Sequence, residues 1–422
     1  MLTIGILAGL LGLLAIRIPV AFALGGLGMI LLLAAGFSPL MVPQALQSST
    51  QSFVLLSVPM FLMMSNILLK GGVGADLYAA VQSWVGHWPG GLAIATIISC
   101  ALFAAISGSS VACAATIGTV AIPEMVRRGY PPSFVYGLLA AGGTLGILIP
   151  PSIPMIVYGF ITEESITALF IAGIGPGLLL CSLFAGYSVI YALTHPEIPR
   201  AEPAPRAERW SATLRALPAL SIAVFIFASI YSGAATPTEA AAIGFAFSVV
   251  VTTVILRTMT WQKFLDAVRE AAVTTVAILL IVAAAKVFGK AIALYRIPQD
   301  VSAFIIATFV DPGSFVAFVS VVLLVMGCFL EAISMMLLMV PVLAPTLGAL
   351  GIDTIWFGIF FVLMIECALI TPPVGLNLYV IQSIAKASLT EVVKGAWAFV
   401  ALMLLAVVLV YLFPEIVLFL VR

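Results

Sequence analysis

The sequence predicts an all-α polytopic membrane protein, organised as an inverted repeat with two re-entrant helical hairpins and two broken spans. Three observations predict it: the composition, the way Gly, Pro and charge interrupt the apolar runs, and short motifs that recur in order. Hydrophobic residues make up 63% of the 422 and charged residues 8%, against about 25% charge in a soluble domain. So sparse a polar shell cannot cover a soluble core of this size, and so apolar a chain is not disordered. Lys+Arg and Asp+Glu balance at 17 each, so no net field recruits nucleic acid, and no basic run with interleaved aromatics is present. Cys100, Cys113, Cys181, Cys328 and Cys367 lie in apolar stretches without a CxxC pair, and only His87 and His195 could join them. That excludes a zinc or iron–sulfur site and leaves the cysteines as small apolar fillers.

A span needs roughly 20 apolar residues. Residues 2–16 and 19–36 read as a tight pair around Arg17-Ile18-Pro19, the first a retained span because no basic n-region or cleavage site accompanies it. A third span covers 52–69, and the moderately apolar 73–88, with two Trp, reads as an interfacial helix. Next comes 91–122, interrupted at Ser107-Gly108-Ser109-Ser110, and the charged turn 124–129. Spans follow at 133–160, 166–193, 214–232, 238–256 and 271–294, then an interrupted stretch 314–345 and spans at 355–383 and 396–420. The Pro- and charge-rich 194–213 reads as a linker between two halves.

Positive charge sets the orientation. With the N-terminus outside and both interrupted stretches re-entering, all 17 Lys and Arg face the cytoplasm except Arg296 and Arg422, outside, and Lys286 and Lys290, within a span. This gives ten crossings. The repeat rests on three ordered matches: Ala105-Ile106-Ser107 with Ala332-Ile333-Ser334, the Pro150-Pro151 pair with Pro372-Pro373, and Ser165-Ile166-Thr167 with Ser388-Leu389-Thr390. The first half then enters from the cytoplasm and the second from outside. A backbone break at membrane depth is tolerated only where it lines a polar cavity, and paired broken spans in inverted halves point to the binding site of a secondary transporter. Packing glycines and a simple proline kink would explain either break alone, but not both with their hairpins.

At these residues the sequence resembles the large membrane subunit of the tripartite ATP-independent periplasmic (TRAP) transporters, the DctM-like family. The resembling stretches are 107–130, 143–159, 235–244 (ATPTEAAAIG), 351–358 and 370–380 (ITPPVGLNLYV). The resemblance implies an elevator-type fold with scaffold and arm at 1–86 and 214–312. Its transport halves would be 87–193 and 313–395, with a cytoplasmic linker at 194–213 and a C-terminal span at 396–422. It also implies a bacterial or archaeal cytoplasmic-membrane location (the inner membrane in a Gram-negative cell), a separate small four-span partner, and a periplasmic solute-binding protein that delivers an organic acid. The activity implied is sodium-coupled import of a carboxylate or sugar acid; a stand-alone carboxylate transporter is the rival reading. No P-loop, HExxH or haem-ligand pair suggests an enzyme.

The expected sodium cages pair each hairpin tip with a break. Ser107, Gly108, Ser109 and Ser110 would face Gly142, Gly143, Thr144 and Gly146; Ser334 and Met335 would face Thr371, Pro372, Val374 and Gly375. Hydroxyls and freed carbonyls suit a hard cation, and half-helix N-termini suit a carboxylate. The solute would lie between the cages, near Ser109, Ser110, Pro150, Pro151, Ser334, Pro373 and Asn377. Glu331, Glu366 and Lys286 are intramembrane charges with a coupling or structural role. A carboxylate at 331 or 366 could ligate a cation, take a proton or bond freed amides of the break.

Overall fold

Proline and glycine start or end most of the helices, because they remove a donor or open the left-handed region exactly where an apolar run would otherwise continue. The computed structural model describes residues 2–198, 200–309 and 311–421. Arg422, expected outside, and Pro199 of the linker lie outside the described residues. In chain order the helices are α1 (Leu2–Ala15), α2 (Val20–Ala34), α3 (Met41–Thr50), α4 (Ser57–Lys70), α5 (Val73–Val85), α6 (Gly91–Ser107) and α7 (Ser110–Arg127). They continue with α8 (Pro132–Leu148), α9 (Ile153–Thr162), α10 (Ile166–Thr194), α11 (Arg206–Tyr231), α12 (Pro237–Val250), α13 (Trp261–Leu294) and α14 (Ile297–Thr308). The last are α15 (Pro312–Gly327), α16 (Ala332–Ala349), α17 (Thr354–Leu369), α18 (Leu376–Ala385), α19 (Leu389–Leu412) and α20 (Glu415–Leu418).

Six described helices are long and apolar enough to cross a membrane, eight if each of two bent pairs is one span. The expected ten crossings count α1 and α2, which at 14 and 15 residues fall short of a full span, and the pair α17–α18, and they leave out α16, one of these six, as an arm of a re-entrant hairpin. Two boundaries differ from expectation. α3 lies in 37–51, where no span is expected, because its Gln and Ser residues dilute the apolar signal. α11 starts at Arg206, so only 195–205 connect the halves. α14 is a short helix after α13, within the 214–312 stretch of scaffold and arm.

The run α5–α10 recurs as α14–α19, and the recurrence extends to the ends of the helices. Gly72 and Arg296, both left-handed, precede α5 and α14, which each carry an aspartate in the first turn. Glu163 and Lys386, again left-handed, end α9 and α18. Ser165 and Ser388 cap α10 and α19, their hydroxyls accepting from the amides of Ala168 and Glu391 at 3.3 Å each. Both proline pairs have cis bonds. α6 packs on α7, and α15 on α16, as helical hairpins.

The halves interlock. Helices in lipid gain nothing from apolar burial as such, so close van der Waals approach must hold them together. α8 crosses α19 glycine to glycine: a Cβ on Gly137 would meet the Gly395 carbonyl at 2.1 Å, and one on Gly395 would meet the Ser133 carbonyl at 1.8 Å. Outside these two halves, α13 packs on α2 and α4, and α12 on α4.

Several contacts between helix ends join ends that the charge pattern places on one side. Lys70 pairs with Glu270 at 2.7 Å, and Trp84 donates to the Thr213 hydroxyl at 3.0 Å beneath the Arg209 guanidinium. Burial pushes the Asp76 carboxyl of α5 up, and nearby Arg215 draws it back. At the opposite ends Thr3 donates to Asp300 at 2.7 Å, and Tyr158 donates to the Thr354 carbonyl at 2.6 Å.

Candidate functional site

The first hairpin turns on two residues. Gly108 adopts φ 62°, which frees the chain to reverse, and Ser109 is extended and caps α7, accepting from the Ala112 amide at 3.4 Å. The Ser107 hydroxyl donates to the Ser109 carbonyl at 3.5 Å. A Cβ on Gly108 would lie 2.7 Å from the Pro151 carbonyl, so the tip rests directly on the break between α8 and α9. That break, Ile149-Pro150-Pro151-Ser152, is closed by Ser152, whose hydroxyl accepts from the Met155 amide at 3.4 Å. Ser107, Gly108, Ser110, Pro150, Pro151 and Ser152 are all buried.

Gly142, Gly143, Thr144 and Gly146 do not form a break. They lie inside α8. Gly143 and Gly146 do face the tip, but as close-packing positions: a Cβ on Gly146 would meet the Ser109 carbonyl at 2.5 Å, and one on Gly143 the Ala114 Cβ at 2.6 Å. Thr144 donates back to the Ala141 carbonyl at 2.6 Å and points toward Met403 of α19. In sequence, a glycine run that lets helices touch is indistinguishable from one that breaks a helix.

The second tip is also displaced from expectation. Ser334 and Met335 are buried in α16, and the turn is Cys328-Phe329-Leu330-Glu331. The Ala-Ile-Ser match was misleading, because Ser107 ends the first arm of its hairpin whereas Ser334 belongs to the second arm of the other. The true counterparts are Ser109 and Glu331, the caps of α7 and α16, each the same interval before its proline pair. Glu331 accepts from the Ser334 hydroxyl at 3.3 Å. The Cys328 sulfur lies 3.7 Å from the Pro372 carbonyl, placing this tip on the break Ile370–Gly375 between α17 and α18, while its one proton has the nearer Leu324 carbonyl of α15 at 3.3 Å.

Thr371, Pro372, Pro373, Val374 and Gly375 fall in that second break as expected, and only Gly375 among them is buried. The Thr371 hydroxyl returns to the Cys367 carbonyl at 2.6 Å. A cavity of ≈ 450 Å³ opens beside this tip, bounded by Glu331, Ser334 and Val374 on one wall and by α2 and α13 on the other. Asn377 begins α18, fully buried, and donates to the Ala140 carbonyl at 3.3 Å, so it joins the two broken spans. Glu366 is fully buried in α17 and neither oxygen has a hydrogen-bond partner among the described residues, so it does not bond the break's amides.

Lys286 lies in a separate cavity of ≈ 590 Å³ between α9, α13 and α16, with its ammonium 4.7 Å from the centre of the Phe160 ring. Sequence reasoning missed Phe160 and Phe329 because a phenylalanine in an apolar run carries no signal of its own.

The TRAP DctM component family profile matches residues 7–416. The C4-dicarboxylate TRAP transporter large permease protein DctM of Pseudomonas aeruginosa is 38% identical over 87% of this chain and 86% of its own length. The ectoine/5-hydroxyectoine large permease protein UehC of Ruegeria pomeroyi is 33% identical, covering 87% and 85%. The sialic acid large permease protein SiaM of Vibrio cholerae is 31% identical, covering 98% and 96%. In fold, the chain resembles the Alcanivorax borkumensis YdaH transporter, with a TM-score of 0.66 at 14% identity, covering 88% of this chain and 87% of that one. Its relatives are permeases and not enzymes, and the chain belongs to the DctM family, the large permease component of the tripartite ATP-independent periplasmic transporters.

Proposed function

We propose that this chain imports an anionic organic solute, a carboxylate or sugar acid, by sodium-coupled secondary transport across the bacterial cytoplasmic membrane. The single observation that carries the reading is the double apposition of tip and break: Gly108 against the Pro151 carbonyl, and Cys328 against the Pro372 carbonyl. Each apposition gathers carbonyls and hydroxyls, Ser107 and Ser109 in the first and Thr371 in the second, which is hard-cation chemistry. The amide ends of α7, α9, α16 and α18 suit a carboxylate between them. Both hairpins re-enter rather than cross, and the two halves move together past α2, α4 and α13 in an elevator cycle. Sodium orders the tips before the solute docks, so the two bind cooperatively by linkage.

A small four-span subunit and a periplasmic binding protein complete the machine. Reconstituted with both, the chain should take up solute in a sodium-dependent way, and alone it should take up little. Ser109→Ala and Thr371→Val should raise the half-saturating sodium concentration about tenfold, the scale of one lost ligand interaction of roughly 1.4 kcal/mol. Unaltered sodium dependence in both variants would remove the tips as sodium sites.

A further inference from the structure

We propose that the cavity between α9, α13 and α16 is an anion site separate from the tips, where Lys286 and Lys290 take the carboxylate or phosphate of a small ligand. Its ≈ 590 Å³ falls within the range of about 300–1,000 Å³ in which small-molecule sites occur. Most of its wall is apolar, with a few charged groups converging on the space, which is how such sites are built.

Both lysines line the cavity, half-buried and four residues apart on one face of α13, their Cβ atoms about 6 Å from each other. This stretch of α13 is otherwise apolar, with Ala283-Ala284-Ala285 before Lys286 and Val287-Phe288-Gly289 after it. Two ammonium groups at this spacing repel each other, and a charge at membrane depth is costly without a partner. Lys286 rests 4.7 Å from the centre of the Phe160 ring. A ring face attracts the cation but leaves its N–H donors unspent.

Two carboxylates share the cavity, and neither neutralises the lysines. Glu164 accepts from the Thr354 hydroxyl of α17, and Glu163 ends α9 in a left-handed, exposed position. The ion pairs among the described residues belong to Lys70, Arg127 and Arg128. Four charges thus stand around one space without meeting. An oxyanion between the two ammonium groups relieves their repulsion, and Glu163 can accept from a hydroxyl or ammonium elsewhere on the same ligand. Those demands describe a hydroxy acid or a zwitterion better than a plain dicarboxylate. An occupant touches α13 on one wall and α9 and α16 on the other.

Only the nature of the ligand leans on the proposed import of an organic anion; the site itself does not depend on sodium at the tips. The probe is pyridoxal 5′-phosphate, applied to the chain with its small subunit in phosphatidylcholine nanodiscs. Its phosphate seeks a cation, and its aldehyde condenses with a lysine amine, releasing water; borohydride then reduces the imine, and peptide mass spectrometry finds the modified residue. Lys286 or Lys290 should react at least tenfold faster with this probe than with pyridoxal, which lacks the phosphate. Lys286→Gln should slow reaction at Lys290 about tenfold, and Lys286→Arg should restore it. Slowing by gluconate more than by succinate at equal ionic strength identifies a hydroxylated carboxylate as the ligand. Slowing only when phosphatidylglycerol replaces part of the phosphatidylcholine identifies a lipid phosphate. Labelling that no anion slows overturns the proposal, as does equal reaction with both probes. Should Lys286→Gln not fold, protection in the parent and the Lys286→Arg rate decide. If labelling is unprotected while Ser109→Ala and Thr371→Val shift the sodium dependence, this site falls and the tip reading stands.

Discussion

The two tips descend from one plan and differ in how tightly they are held. The first reverses on Gly108 and Ser109, is capped by a hydroxyl, and is wedged against α8 backbone at Gly143 and Gly146. The second needs four residues, places the carboxylate of Glu331 where the first has Ser109, and leaves Phe329 77% exposed beside a cavity. The breaks follow suit, Pro150 and Pro151 being buried while Pro373 is exposed. In the proposed transport cycle a fixed tip and a loose one on one body would separate two tasks, the first holding its ligands in place and the second having room to admit and release.

The sharpest way to break this comparison is to crowd each tip. Gly146→Val should cost about 3 kcal/mol or more, because its Cβ meets the Ser109 backbone at 2.5 Å and backbone cannot step aside. Gly375→Ala should cost about 1–2 kcal/mol: its φ of 51° disfavours a Cβ, but the nearest atom, at 2.8 Å, is the mobile end of Leu378. Thermal unfolding in nanodiscs measures both, and equal losses would erase the distinction between a wedged and an open tip.

Ser152→Ala should cost about 1 kcal/mol through the lost cap at the first break. Removal of the same hydroxyl has no equivalent in the second half, where Gly375 holds the cap position. Phe329→Ala should change stability by less than about 0.5 kcal/mol, as exposed positions do. It should also speed modification of the half-buried Cys328 by a thiol reagent; an unchanged rate would mean that Phe329 does not cover the tip.

Most of the architecture was legible because lipid imposes length and apolarity on every span, and Gly, Pro and charge mark where spans stop. The Pro-Pro pairs and the Ser165 and Ser388 caps identified the repeat, since a break and a cap each need a particular residue at a particular place. The second tip was misplaced because three small residues can recur by coincidence on opposite arms of a hairpin, whereas the interval from cap to proline cannot slide. Gly143 and Gly146 face the tip as expected but in an unbroken helix, and only the partner that touches a glycine says which role it plays. The solitude of Glu366 was not legible at all, because a missing partner is a property of every neighbour together.

The interlocking of α8 with α19, with Asn377 and Tyr158 as further ties, has a mechanical consequence. A block sewn together by backbone-to-backbone contacts is stiff, so a push at one tip is felt at the other as displacement and not dissipated as bending. Its soft directions are the few that leave those seams intact, such as swinging the one tip that is not wedged. In the proposed elevator cycle, sliding whole against α2, α4 and α13 would carry solute and ions together, because the seams tie one half to the other.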